Sequence, residues 1–412
     1  MKFNTKAIHS GCQPDPKTGA SCTPIYQTAS FTHEDPESLA EAFSGKKFGY
    51  LYSRIANPNE ISLEQKVTAL ENGVGSLAFG TGMAAIHAAL YTLAESGDQF
   101  ISSSSLFGGT QSLFEDAKRF GIEPVYVTAT DTQAYQAALS PKTRFIFLEC
   151  IGNPKTDVPD IVAIASIAKS AGVPLIVDGT LASPVLLNAK ALGVNLVVHS
   201  ATKYFGLGGS TLGGTLTDLG NFDWKTCKST GVKNAATQMG PNAFLGKARK
   251  LMITNAGTGI SPFSAFMLSL GIETLSLRVE KHCQNALELA QFFAKHPKIK
   301  GVNYPGLPTH TQHEIAKAQF KNRFGALMTI RLEDKESCYQ MIKALKLVKN
   351  QANLGDSKTL VIHPESTIYR DWTPENQERA GVFPNLIRIS VGLEDCEDLI
   401  NDFDQALQRS SI

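Results

Sequence analysis

The feature that most constrains the fold of this chain is a regular alternation of short apolar runs with helical patterns, which begins near residue 62. Six apolar runs have the length and character of buried strands, and four segments between them have helical periodicity. Buried strands that alternate with helices predict an α/β domain, a mostly parallel sheet with helices on both faces. The predicted strands are 76–79, 99–103, 123–127, 144–149, 174–178 and 195–200, and the predicted helices are 83–94, 110–119, 160–170 and about 184–192.

The segments on either side of this alternation differ from it in character. Residues 1–60 are rich in Pro, Thr, Ser, Tyr and Phe and lack helical periodicity, so we predict an irregular N-terminal arm. After the alternation, a long helical stretch over 261–297 leads into a strand–helix–strand–helix pattern. We therefore predict three parts: an arm (1–60), a large α/β domain (61–256) and a smaller α+β domain (257–412).

The charge and cysteine content of the chain indicate which class of ligand and which cellular compartment to expect. The chain has 39 basic and 38 acidic residues, so it has no basic field for nucleic acid or anionic lipid, and we expect a small-molecule ligand. Its seven cysteines are scattered without C-x-x-C spacing, which indicates free thiols in a reducing compartment. No apolar run reaches the roughly 18 residues of a membrane span. We expect a cytoplasmic protein with no membrane partner.

The most informative positions are an aspartate and a lysine at the ends of two neighbouring predicted strands. Asp178 ends the run 174–178, and Lys203 follows the next run 25 residues later. The carboxyl ends of strands in an α/β sheet open onto the ligand crevice, so both side chains are expected in one site. The pair suits pyridoxal phosphate (PLP), which needs a Schiff-base lysine and a carboxylate for its ring nitrogen. Ser200 and Thr202 would offer hydroxyl groups to its phosphate.

A glycine-rich turn, GTGMAA (80–85), lies between the first predicted strand and the first predicted helix. Such a turn offers free N–H groups and the positive end of a helix dipole to a phosphate. The same letters fit G-x-G-x-x-A, the dinucleotide fingerprint, which also needs an acid at the end of the second strand. Asp98 precedes that strand and lies at its wrong end. The turn is therefore predicted to bind a single phosphate.

Two arginines are candidate anion ligands. Arg54 lies in the arm beside Tyr52, and a guanidinium with a nearby phenol can bind phosphate. Arg388 lies inside the apolar run LIRISVG, so it belongs either to a buried ion pair or to a clamp for a substrate carboxylate, and the sequence leaves both open. His310 and His313 have no evident third ligand, so no metal site is predicted.

Nearly the whole chain resembles one known family. The segments that carry the resemblance are YSRIANPN, GTGMAAIHAAL, FGGT, ECIGNPKTD, VDGT, VHSATKY, YPGLPTHTQHE, NLGDSKTLVIHP and LIRISVGLED. They are similar to those of the Cys/Met-metabolism family of PLP enzymes, the γ-family of fold type I. The resemblance implies an N-terminal arm, a large cofactor domain with a mostly parallel sheet, and a smaller α+β domain. It also implies a homo-oligomer, a tetramer of two catalytic dimers.

The resemblance implies roles for individual residues. Lys203 would be the Schiff-base lysine and Asp178 the partner of the pyridine nitrogen. Because Phe107 lacks the tyrosine hydroxyl that often assists proton transfer in the family, Lys203 or Tyr52 would take over that step. Asn153 and Arg388 would bind the α-carboxylate of an amino-acid substrate. The remaining residues implied in the site are Gly82, Met83, Ser200, Thr202 and Phe107 around the cofactor, Tyr52 and Arg54 reaching the phosphate of the neighbouring subunit, and Asn353 beside the substrate.

Within the family, the C-terminal motifs are most similar to the O-acetylhomoserine sulfhydrylase branch, and Asn353 stands where lyases commonly have serine. The resemblance implies a transferase of methionine biosynthesis that replaces the acyl group of an activated homoserine with sulfide or a thiol. Methionine γ-lyase, cystathionine γ-synthase and γ-lyase are alternatives on the same scaffold, and a nucleotide-binding or catalytically silent scaffold is another. Phe107 and Gly179 depart from the Tyr and Asn that are usual in the family.

Overall fold

The large domain is built on a seven-stranded sheet whose order is β1-β7-β6-β5-β4-β2-β3. The computed structural model describes residues 1–47 and 49–409; Phe48 and residues 410–412, which fall in the predicted arm and C-terminal domain, lie outside the described residues. Pairing is parallel from β3 through β2, β4 and β5 to β6, which confirms the predicted mostly parallel sheet. The strands are β1 (Gly75–Phe79), β2 (Gln99–Ser103), β3 (Glu123–Val127), β4 (Thr143–Glu149), β5 (Leu175–Asp178), β6 (Leu196–His199) and β7 (Gly214–Asp218).

All six predicted strands are present, and β7 is a seventh that the apolar pattern does not indicate. Its sequence, GTLTD, has a single large apolar residue, yet all five positions are buried. The strand pairs antiparallel with both β1 and β6. Of its two buried threonines, Thr217 is satisfied by a hydrogen bond between its hydroxyl and that of Ser76 at 2.7 Å.

Helices cover both faces of this sheet. Alternate residues of β5 show the two faces, because Ile176 packs into one apolar core and Val177 into the other. The helices of this part are α3 (Pro58–Glu71), α4 (Gly82–Leu93), α5 (Gly108–Ala117), α6 (Thr132–Ala137), α7 (Ile161–Ala171), α8 (Ser183–Leu186), α9 (Thr230–Met239) and α10 (Ala243–Ala248), which runs into a π-helix (Arg249–Asn255).

The C-terminal part contains a second sheet of five strands, in the order β10-β11-β12-β9-β8. The predicted helical stretch 261–297 is present as two helices. It breaks at Thr274 into α11, which packs against α3, and α12, which packs against the second sheet. The elements are α11 (Pro262–Glu273), α12 (Leu275–Lys295), β8 (Gly301–Asn303), α13 (His313–Gln319), β9 (Leu327–Arg331), α14 (Lys335–Ala344), β10 (Lys349–Asn350), β11 (Leu360–Ile362), α15 (Pro374–Arg379), β12 (Leu386–Ser390) and α16 (Cys396–Arg409).

The N-terminal arm is less irregular than predicted, because it contains α1 (Phe3–His9) and α2 (Pro36–Phe43). The short α1 contacts α3, so tertiary packing stabilises it where periodicity is too brief to show. For α2 the signal is local, since the Asp35 side chain accepts a hydrogen bond from the backbone of Ser38. In the described part of the chain, no helix combines the length and apolar character needed to span a membrane.

Candidate active site

The carboxyl ends of the central strands open onto a cavity of about 290 Å³ whose other wall comes from the C-terminal part. This is the crevice that a parallel sheet is expected to provide. Of the twelve residues predicted for the site, ten line this cavity. They are Gly82, Met83, Phe107, Asn153, Asp178, Ser200, Thr202, Lys203, Asn353 and Arg388.

Lys203 lies in the turn after β6 and points its amine across the cavity. Its Nζ donates to Oδ1 of Asn353 at 2.8 Å. Burial, together with the nearby charge of Arg388, lowers the pKa of Lys203 to about 8, because both disfavour a second positive charge there. More of the amine is therefore neutral near physiological pH than in an ordinary lysine, and the neutral form can attack a carbonyl or accept a proton.

Asp178 ends β5 and is almost completely buried. Its Oδ1 accepts a hydrogen bond from the backbone of Thr180 at 2.9 Å. Burial raises the pKa of Asp178, and the Thr180 hydrogen bonds act in the opposite direction. A cationic ring nitrogen beside this carboxyl would stabilise its ionised form, so the position suits a pyridinium partner.

The glycine-rich turn forms a close cradle at the N-terminus of α4. A Cβ on Gly82 would lie 2.7 Å from Cβ of Ser200, so only glycine allows the turn to approach the strand end. Thr81 caps the helix by accepting from the backbone of Ala84 at 3.1 Å. The free N–H groups of the first helical turn, with the Ser200 side chain opposite, form an anion site of the size of one phosphate.

Arg388 is buried in β12 and forms no ion pair with an acidic side chain of the described residues. Its guanidinium donates to the side-chain oxygen of Asn153 at 3.2 Å and to the backbone carbonyl of Asn353 at 2.9 Å, and its Nε has no hydrogen-bond partner in the described part of the chain. Burial lowers the pKa of Arg388 to about 10. Of the two interpretations left open by the sequence, the buried ion pair is wrong within the described residues. A ligand carboxylate would supply the missing anion.

Tyr52 and Arg54 do not line this cavity. The guanidinium of Arg54 lies 5.5 Å from the ring centre of Tyr52 and donates to the backbone carbonyl of Thr254. Tyr52 is 44% exposed. Their predicted contact with the cofactor of a neighbouring subunit stays a prediction.

The sequence prediction lacks other residues that shape the site, among them Glu149 and Thr180 of the cavity lining and Tyr369, which contacts Asn153. Glu149 ends β4 as Asp178 ends β5, so its strand-end position was a usable signal. Thr180, two residues beyond Asp178, holds that carboxyl, and such Asx-type contacts are common after aspartate. Tyr369 donates its hydroxyl to the backbone carbonyl of Asn153 at 2.9 Å, a contact across 216 residues that no local pattern indicates.

Comparisons with known proteins agree with this geometry. A family model described as "Cys/Met metabolism PLP-dependent enzyme" matches residues 4–408. An O-acetyl-L-homoserine sulfhydrylase of Leptospira meyeri is 39% identical over 99% of this chain and 97% of the relative. O-acetyl-L-homoserine sulfhydrylase 1 of Thermus thermophilus is 41% identical over 99% of this chain and all of the relative.

A solved structure extends the similarity to the fold. It is a Campylobacter jejuni protein, assigned as an O-acetylhomoserine (thiol)-lyase, that carries N'-pyridoxyl-lysine-5'-monophosphate. The TM-score is 0.93 at 33% identity, covering 99% of this chain and all of the other. The predicted fold type I architecture is thereby confirmed.

Proposed function

Because the chain belongs to the Cys/Met-metabolism family of PLP-dependent enzymes, we propose that it replaces the acetyl ester of O-acetylhomoserine with sulfide or a small thiol. The products are acetate and homocysteine, or acetate and methionine when the thiol is methanethiol. The observation that carries the proposal is the convergence of Lys203, Asp178 and Arg388 on one cavity. The names of the relatives support the choice of substrate.

The cavity fits the cofactor that the family uses. Lys203 would hold its aldehyde carbon and Asp178 its ring nitrogen. The cradle at Gly82, which a Cβ would fill, leaves room for the phosphate beside the hydroxyls of Ser200 and Thr202. When bound, PLP supplies an electron sink that acidifies the substrate carbons near the amine.

The chain's own groups then position the substrate and move its protons. Arg388 binds the α-carboxylate, and Asn153 orients the guanidinium through their hydrogen bond. Lys203 removes the α-proton with Nζ and later returns a proton to the substrate, while Asn353 orients that nitrogen. The lowered pKa of Lys203 suits both directions of transfer near neutral pH.

Phe107 favours an ester substrate over a thioether. Acetate is the anion of an acid with a pKa of about 4 to 5, so it leaves without a proton. A thiolate leaving group, with a conjugate-acid pKa of about 8.5 or above, is helped by a proton donor, and phenylalanine supplies no hydroxyl. This supports γ-replacement over methionine γ-lyase activity at this site.

The arm would act in an assembly. Tyr52 and Arg54 lie outside their own chain's cavity, which supports a homodimer in which each arm (1–60) completes the neighbouring site, with two dimers forming a tetramer. The cofactor domain (61–256) and C-terminal domain (257–412) would each supply one cavity wall. The free cysteines of the described residues support a reducing compartment, the cytoplasm.

A product assay tests the proposed function. The purified protein with PLP is supplied with acetyl-, succinyl- or phosphohomoserine and with sulfide or cysteine. Homocysteine from O-acetylhomoserine and sulfide is the expected result. A protein that forms no homocysteine, but converts methionine to 2-oxobutyrate and methanethiol, contradicts the proposal. A Lys203→Ala control should lose the yellow colour of the bound cofactor.

A further inference from the structure

Glu149 is a buried acid of the cavity wall to which the mechanism above gives no role. It is the last residue of β4, and its register partner is Asp178, the last residue of the parallel neighbour β5. Register partners on parallel strands point to the same face of the sheet, so the two carboxyls stand side by side. Both residues line the cavity, and Glu149 is only 7% exposed.

The carboxyl of Glu149 joins two loops of the cavity. Its Oε1 accepts from the backbone N–H of Phe107 at 2.6 Å, and the backbone N–H of Asn153 also hydrogen-bonds to the carboxyl. Phe107 precedes α5 and brings its ring to the cavity, whereas Asn153 brings the amide that contacts Arg388. One side chain therefore fixes the backbone of the aromatic wall and of the carboxylate-binding wall together.

The surroundings of Glu149 favour its protonated form. Burial, and then the charge of Asp178, raise the pKa of Glu149 well above its ordinary value, against the hydrogen bonds from the two backbone N–H groups. Asp157, in the loop after β4, acts in the same direction, and the Tyr369 phenol faces Glu149 from the C-terminal part. Among the described residues, no cation forms a salt bridge with it. Two adjacent carboxyls are not readily ionised at the same time. The proposed contact with the pyridine nitrogen requires an ionised Asp178, which leaves Glu149 as the protonated member of the pair.

We propose that Glu149 is a positioning residue that acts as a neutral hydrogen-bonding group and holds the Phe107 and Asn153 loops against the bound cofactor. The inference rests on the proposed function, because it takes the cavity as the PLP site. A neutral carboxyl accepts hydrogen bonds through its carbonyl oxygen, and the amide of glutamine has the same shape and acceptor without the ability to ionise. Glutamine at this position should therefore preserve the positioning role of Glu149, whereas leucine should not.

The test compares Glu149→Gln and Glu149→Leu with the wild-type holoenzyme. Equilibrium dialysis gives the dissociation constant of PLP, and the circular dichroism induced in its visible band reports how the site orients it. We expect E149Q to keep the induced signal and a dissociation constant within about threefold of wild type. E149L should lose most of the signal and bind PLP about tenfold or more weakly, because the Phe107 N–H loses its partner. The wild-type infrared spectrum should contain a component from a protonated carboxylic acid that is lost in E149Q.

A matched control is Asp402→Asn. Asp402 is also buried and accepts backbone hydrogen bonds, from Leu347 and Val348, but it does not line the cavity. Its replacement should leave both PLP readouts unchanged.

Three outcomes overturn the inference. E149Q as impaired as E149L would mean that a charged carboxylate is needed, and E149L equal to wild type would mean that Glu149 positions nothing. An unchanged carboxylic acid band in E149Q would mean that Glu149 carries no proton. If E149L fails to fold, the E149Q readouts decide. A wild-type protein that binds no PLP, or makes no homocysteine, contradicts the proposed function instead.

Discussion

Two arginines, the half-buried Arg249 near α3 and the buried Arg388 in β12, have opposite surroundings. Arg249, the first residue of the π-helix, contacts both Glu60, at 3.0 Å, and Glu64. Burial acts to lower its pKa, but these two glutamates outweigh that effect and raise it. Among the described residues, Arg388 hydrogen-bonds only to an amide and a carbonyl, and burial lowers its pKa. An arginine that pairs with buried carboxylates of its own chain stabilises the fold, whereas a buried arginine without them can bind the carboxylate of a ligand.

The largest expected effect is the loss of activity in Arg388→Leu. We expect kcat/KM to fall by about a thousandfold, because a buried charge-assisted contact to substrate is removed. The free energy of unfolding of the cofactor-free protein should stay unchanged or rise, because an unpaired buried charge is also removed. Steady-state kinetics and urea unfolding measure the two effects. A fully active R388L would refute the substrate role of Arg388.

Arg249→Leu should instead lower the stability of the fold. It leaves Glu60 and Glu64 buried without a cation, so we expect the free energy of unfolding to fall by about 3 kcal/mol. Urea unfolding of the cofactor-free protein measures this. As a control, Glu60→Gln and Glu64→Gln added to the Arg249→Leu protein should recover much of the loss. Equal destabilisation by R249L and R388L would break the contrast between the two arginines.

Asn353→Ala should lower kcat by about tenfold, since Lys203 loses the hydrogen bond that orients Nζ. KM for the amino-acid substrate should change little, because the atom of Asn353 that contacts Arg388 is its backbone carbonyl, which alanine retains. Separate determination of kcat and KM checks this. A rise in KM with an unchanged kcat would place Asn353 on the substrate instead of on the lysine.

The smallest expected effect is on the pH dependence of PLP binding. PLP attaches to a neutral amine, so its binding rate to the cofactor-free protein should rise with pH, with a midpoint near the pKa of Lys203, about 8. Because the charge of Arg388 helps to lower that pKa, Arg388→Leu should shift the midpoint to higher pH. Arg249→Leu should leave it in place. Stopped-flow absorbance at a series of pH values measures the midpoint, and identical midpoints in all three proteins would contradict the coupling.

The sequence predicts well which residues share a site when they follow neighbouring strands of the sheet. Asp178 and Lys203 follow consecutive strands of one parallel sheet, so their common site follows from the direction of the strands. The same rule applies to Glu149, but its role depends on its pairing with Asp178 and on a backbone N–H 42 residues away at Phe107. Such a contact has no local signature.

Other features depend on three-dimensional neighbours. The sequence leaves Arg388 between two roles, because whether an acid lies beside it is decided by how the C-terminal sheet meets the large domain. The break at Thr274 has no strong local cause in sequence, since apolar residues continue on both sides. It is explained by packing, because α11 contacts α3 and α12 contacts the second sheet.

Asn353 has a mechanical consequence. It belongs to the C-terminal part, yet its side chain contacts Lys203 of the large domain and its backbone contacts Arg388. A small separation of the two parts would lengthen the 2.8 Å contact to Lys203 and leave the Arg388 contact intact, because that second contact lies within one part. The orientation of the Lys203 amine therefore depends on the spacing between the large sheet and the C-terminal part.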